Sequence, residues 1–403
     1  MTERKTFKKI VRSRMERTGE SYTTAHRHVS GRRPGGLPAG LVPGYDSFGR
    51  SQHHESALVR RLLGQAGLRL SEPMTCGLGG GIGFLYAVFE YAGVTTPLLT
   101  IVAQHHPQPW APAALDRLGV AYTELHATKP AAALTKLRRA LDGGRPALCT
   151  VNRAGLPWHG DVSPMAAADP YAVVVAGADG DTLYVDDLAP EPHEIDAADF
   201  GAAWAGHRKG RHHMLTVDTA PDAVDLPAAG RDAIATTIAH LTGPVLGNSF
   251  DVNFGFSGME KLAAELRDPR GKHGWERRFG TAAGFNHAMV RLEACLEREY
   301  TAPGATRPLY ADYLDEAASV LGARAATQVA GVLGASAATQ AAALFRESGR
   351  RWSRLAALAA AQAGTPGGPD ATRRRELFDE FATLVESCLT DEREAVEVLR
   401  GLA

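Results

Sequence analysis

YAVVVAGADGDTLYVDD, residues 171–187, reads as two strands folded back on one another. Val173, Val174 and Val175 are stiff at χ1, which suits a pleated, half-buried surface better than a helix. Ala178-Asp179-Gly180 joins the two apolar runs, and Asp-Gly accepts the positive φ that a tight hairpin turn requires. A hairpin commits this part of the chain to antiparallel pairing. PALCTVN (146–152) upstream and HHMLTVD (212–218) downstream are β-type too, the latter predicted as a closing strand.

Further out the period changes. LLTIVA (98–103) and VAYTELHA (120–127) read as short strands. SALVRRLLGQAG (56–67), GGIGFLYAVFEYAG (80–93), PAALDRLGV (112–120) and PAAALTKLRRALDGG (130–144) are predicted helices. Helices come first and an antiparallel region later, so residues 45–217 form an α+β domain rather than a Rossmann alternation. Residues 226–403 keep helix period, as in DAIATTIAHL (232–241), MEKLAAELRD (259–268) and RRELFDEFATLVESCL (374–389). The expectation there is an all-helical domain. GRRPGGLPAGLVPG closes a first segment, 1–44, made of a basic helical arm and a Gly/Pro linker. Within residues 1–34, ten Lys and Arg oppose Glu3, Glu16 and Glu20.

Composition bounds the function. The chain has 403 residues, 44% hydrophobic and 22% charged, which suits two ordinary globular domains. A net charge of -1 argues against nucleic-acid binding by bulk electrostatics. Cys76, Cys149, Cys295 and Cys388 form no C-x-x-C pair, so they read as free thiols of a reducing compartment. With no signal-type apolar core at the start and no run approaching the roughly 20 residues that span a bilayer, the expected location is the cytoplasm, away from membranes.

Three stretches offer chemistry. SQHHES (51–56) opens a predicted helix, where unpaired N–H groups favour an anion. TCGLGGGIGF (75–84) is read as a glycine turn that also opens a helix, with Gly79, Gly80 and Gly81 offering an oxyanion or anion site. It lacks the Gly-Lys-Ser/Thr of a phosphate loop. Cys76, just before it, is either a small buried residue or a nucleophile. His105 and His106 are adjacent, so they face different ways and make no tidy metal site. No cofactor and no metal are expected, with a centre built from histidines distant in sequence as the open alternative.

The stretch HHESALVRRLLGQAGLRLSEPMTCGLGGGIGFLY (53–86) resembles the front of the butirosin biosynthesis protein H family. DVNFGFSGMEKLAAELRD (251–268) and TRPLYADYLDEAASVLG (306–322) resemble its accompanying helical domain, and the likeness extends over about residues 45–400. The resemblance implies a papain-like front domain and acyl transfer from a carrier-protein thioester to an amine. The family's residues run Cys, His, Asp. Here the Cys position holds His54, flanked by His53 and Glu55; the His position holds Tyr171; the acid is Asp187, or less readily Asp186.

Two of the three groups are therefore replaced, and a thiolate mechanism of the usual kind is not available. In one reading His54 is a general base or acyl acceptor, Tyr171 an acid or hydrogen-bond donor and Asp187 the orienting acid, with Glu55 and the glycine turn as supports, in an acyltransferase or cyclase. In a second, Cys76 takes over as nucleophile. In a third, the chain is a non-catalytic accessory protein that binds a carrier. The substrates implied are a small amine and an acyl group, and the basic arm 1–34 would dock an acidic acyl carrier protein. The oligomeric state stays open.

Overall fold

The computed structural model describes residues 37–91, 96–160, 169–324, 329–364 and 367–402. The basic arm at 1–34 lies outside them. The chain divides into two compact units, and these do not follow a single cut in the sequence. One holds residues up to 50, 64–66 and 122–218; the other holds 51–63, 67–121 and 219–403.

The first unit is built on a six-stranded sheet. Its strands are β3 (Ala121–Leu125), β4 (Ala147–Val151), β5 (Tyr171–Asp179), β6 (Thr182–Asp186), β7 (His193–Asp196) and β8 (Met214–Thr219), in the order β3-β8-β4-β5-β6-β7. β5 pairs antiparallel with β4 and with β6. The hairpin closes at Asp179↔Thr182, so Gly180 and Asp181 form its two-residue loop, with Gly180 at φ 57°. β8 ends the series in the chain but not in the sheet: it lies inside, between β3 and β4. α4 (Pro130–Asp142) and α5 (Ala197–Gly206) accompany the sheet. Leu137, Phe200 and Trp204 pack with Val173, Val175, Leu183 and Val185 in one buried cluster.

The second unit is largely helical. It carries most of α1 (His54–Gln65), then α2 (Glu72–Leu78), β1 (Ile82–Phe89), β2 (Leu98–Gln104) and α3 (Trp110–Arg117). After β8 come α6 (Leu226–Thr242), α7 (Gly255–Arg267), α8 (Trp275–Arg278), α9 (Ala282–Glu297), α10 (Arg307–Arg324), α11 (Val329–Gln362) and α12 (Ala371–Leu399). The helical expectation for the back of the chain holds among the described residues, and the front contributes the α+β part. No described helix is long and apolar enough to cross a membrane.

One predicted element changes type. GGIGFLYAVFEYAG, expected as a helix, contains β1, which pairs antiparallel with β2 from Ile82↔Gln104 to Phe89↔Leu98. Residues 82–87 are buried without a break. A strand covered on both faces loses the apolar-polar alternation that marks strands, so its period is ambiguous from sequence.

A buried ion pair pins this unit. Arg307 and Glu392 are both fully buried. The guanidinium donates from Nε to Oε1 and from Nη2 to Oε2 of Glu392, each at 2.8 Å. Its Nη1 also donates to the carbonyls of Gly83, Ala103 and Ala305. Ser348 and Trp352 donate to Glu392 Oε1. With its lone pairs and protons taken up, which offsets part of the cost of burying two charges, the pair ties α10 and α12 to the ends of β1 and β2.

Candidate functional site

The hairpin that set the fold also sets a polar constellation. Counting on from Val174↔Asp186, Asp187 stands across from Val173. Tyr171 is two residues before Val173, so it lies on the same face of β5. Tyr171 donates its hydroxyl to Asp187 Oδ1 at 2.8 Å. Asp186, one residue earlier, faces the other way and accepts from the Tyr45 hydroxyl at 2.7 Å. Of the two acids considered from the sequence, Asp187 is the one beside Tyr171.

Two further donors converge on Asp187, and sequence reading did not single out either. Trp158 Nε1 and His159 Nε2 each lie 2.7 Å from Oδ2. The Asp187 side chain is 2% exposed and that of His159 is 22% exposed. A carboxylate so enclosed is stabilised by these three bonds, each worth about 1.5–3 kcal/mol to a charged acceptor. The Tyr171 ring meets the His159 ring edge-on at 5.1 Å, and Trp158 stacks on His193 at 4.1 Å. Burial, then the Asp187 charge and hydrogen bond, push the Tyr171 phenol well above its ordinary range. Tyr171 therefore keeps its proton and uses it on Asp187; it positions the carboxylate. Burial lowers His193, so that ring is held neutral. Trp158 and His159 lie just after the short 3-10 turn Arg153–Gly155, far from the hairpin in sequence.

His54 is the first residue of α1, in the other unit, with Glu55 in the same first turn. Burial raises the Glu55 carboxyl, with His54 opposing. His53, just before the helix, is 1% exposed. Its Nδ1 accepts from the Ser56 backbone N–H at 3.2 Å, so the ring proton sits on Nε2 and is donated to Gln104 Oε1 at 2.7 Å. Burial is the main cause that lowers His53 to about 4. This histidine is a neutral structural element of the helix start.

The glycine run differs from its expectation. It closes α2 instead of opening a helix: Gly79 N–H donates to the Thr75 carbonyl and Gly81 N–H to that of Cys76. Gly80 and Gly81 then take φ of 108° and 59° to turn the chain into β1. The missing side chains make room for rings. A Cβ on Gly79 would lie 2.0 Å from the Trp110 ring, one on Gly80 2.4 Å from His105, and one on Gly81 2.4 Å from Tyr310. A helix N-terminus, on which the anion reading of Gly79, Gly80 and Gly81 depended, is not present at the run. Cys76 is fully buried, and burial followed by the charges of Glu72 and Glu55 pushes its thiol up. It has neither the access nor the lowered pKa of a nucleophile. None of the four cysteines is in a disulfide, and all four are buried.

Residues 53–188 match the family profile described as butirosin biosynthesis protein H, N-terminal, and residues 204–399 match one described as a domain of unknown function, DUF4872. No curated protein matches the chain. Among solved structures, a Bacillus anthracis protein described as a C39-like peptidase is similar over 45% of this chain and 99% of its own, at 17% identity and a TM-score of 0.32. A score that low carries no argument about the site. The chain thus carries a butirosin biosynthesis protein H N-terminal domain at 53–188 followed by a DUF4872 domain at 204–399.

Proposed function

We propose that the chain is a natural-product biosynthesis enzyme of acyltransferase or cyclase type in which an imidazole, not a thiolate, manages the proton of an attacking amine. The observation that carries this reading is the His159–Asp187 pair, braced by Tyr171 and Trp158. With Nε2–H given to Asp187, the His159 Nδ1 lone pair is the basic site. An amine attacks the carbonyl of an acyl thioester, its proton passes to Nδ1, and the imidazolium is stabilised by the Asp187 carboxylate. The C–N bond forms, the C–S bond breaks, and the leaving thiolate takes the proton back. Amines attack thioesters readily, so orientation supplies much of the rate. The burial of every cysteine supports a route without a protein thiolate. His54 stands where the family resemblance calls for cysteine, and it is retained as an acyl acceptor or second base.

The test uses an aminoacyl N-acetylcysteamine thioester and a small primary amine, with amide formation followed by mass spectrometry. His159→Ala should lower kcat about 100-fold or more, as loss of a general base does. Asp187→Asn should lower kcat with KM nearly unchanged, as a positioning residue would. Full activity in His159→Ala sinks the proposal. His54→Ala, examined by intact mass, decides whether that residue carries an acyl group. Deleting 1–34 tests the proposed carrier-protein docking: unchanged affinity and salt dependence would refute it.

A second reading, a non-catalytic accessory protein that binds a carrier or a partner enzyme, is favoured by one observation. The glycine run is occupied by the rings of Trp110, His105 and Tyr310 and offers no open anion cradle. Carrier binding without turnover of any thioester would select this reading.

A further inference from the structure

A second polar cluster lies in the first unit, at the β3 edge of the sheet. Glu124 is in β3, and His126 follows two residues later, which keeps both on one side of the chain. His213 immediately precedes β8, the strand beside β3. One ligand atom from each of the three falls within 4.8 Å of the others. His213 Nε2 is 2.7 Å from Glu124 Oε1, and the two imidazole rings are 5.1 Å apart.

The outer contacts of the two rings are what a metal site needs. His126 Nδ1 lies 3.0 Å from the Gly210 carbonyl, which can only accept, so that nitrogen carries the proton and Nε2 offers a lone pair. His213 Nδ1 lies 2.8 Å from Thr150 Oγ1, a hydroxyl that can accept the ring proton when Nε2 is ligated. Ligating histidines characteristically donate their other nitrogen to a carbonyl or polar oxygen, which fixes ring and tautomer. The backbone is tied as well: Ala127 N–H donates to the Arg211 carbonyl at 2.7 Å, and His212 Nδ1 donates to the Ala127 carbonyl at 2.7 Å.

We propose that Glu124, His126 and His213 form a zinc site with three protein ligands and one open position. Two imidazoles and one carboxylate favour zinc over magnesium or calcium, which prefer all-oxygen sets. On binding, the His213 proton moves from Nε2 to Nδ1, which then donates a hydrogen bond to Thr150 Oγ1, and Glu124 exchanges its hydrogen bond for the metal. The site is independent of the His159–Asp187 constellation and stands or falls apart from it.

The experiment is a zinc titration of the full chain against a chromophoric chelator, repeated with cobalt and read by its visible absorption. Zinc should bind at one equivalent, and cobalt should show a tetrahedral or five-coordinate spectrum. His126→Ala and Glu124→Gln change exposed side chains, so both variants should fold, which circular dichroism checks. Each should weaken zinc at least about tenfold. Zinc should also raise the melting temperature of the wild type and not that of His126→Ala. No zinc uptake by the wild type, or equal affinity in both variants, overturns the proposal.

Discussion

His53 makes the second unit sensitive to acid in a way that can be calculated. Its ring is 1% exposed and held neutral, with a pKa lowered to about 4 by burial, against an ordinary value of 6.5. Above pH 6.5 neither folded nor unfolded chains protonate it, and it has no effect. As pH falls below 6.5 the unfolded chain binds a proton that the folded chain refuses, so stability is lost down to about pH 4. At pH 5 the loss from this group alone is about 2 kcal/mol, and it changes little if the folded value moves by a unit. Burial lowers His105 similarly, to about 3, and it acts in the same direction. Glu55 opposes them: its raised carboxyl holds a proton in the folded state above 4.5, which favours folding as pH falls. The individual term is isolated by comparing wild type with His53→Gln in urea at about pH 7.5 and about pH 5. The stability of wild type relative to the variant should fall by about 2 kcal/mol between the two conditions. A difference that stays constant within about 0.5 kcal/mol, or that moves the other way, would refute the account of a buried neutral imidazole.

Glu392→Ala leaves the Arg307 guanidinium buried with its partner gone, and should cost about 3–5 kcal/mol in urea unfolding; a loss under about 1 kcal/mol would contradict the ion-pair role. Gly80→Ala places a Cβ 2.4 Å from the His105 ring at a φ of 108°, and should destabilise by about 2 kcal/mol or more, read as a lowered melting temperature. Iodoacetamide should label no cysteine of the native chain and all four after unfolding, because each thiol is buried; rapid native labelling of Cys76 would restore it as a nucleophile.

The two halves of the chain were unequally legible. The β5–β6 hairpin is legible because apolar runs and a turn glycine are local signals, although the loop is Gly180-Asp181 and Ala178 and Asp179 belong to β5. The helices of the back half were read from their period. β1 was not, because residues 82–87 are covered on both sides and present no alternation. The glycine run is legible as a turn, but what fills the space of its missing side chains is Trp110, His105 and Tyr310, the last of them 229 positions from Gly81, and no local pattern announces their arrival.

The sequence by itself determined the α+β front and the helical back, but not which acid shares a face with Tyr171: a two-residue turn alone would put Asp186 there, and the register shift between Val175 and Gly177 puts Asp187 there instead. Only the tertiary structure decided that His159 and Trp158 share that carboxylate, that His53 is neutral, and that Glu124, His126 and His213 face one another. The physical reason is the range of the information. Turn chemistry and period act over a few residues, whereas desolvation and hydrogen bonding between distant segments exist only once the core has excluded water.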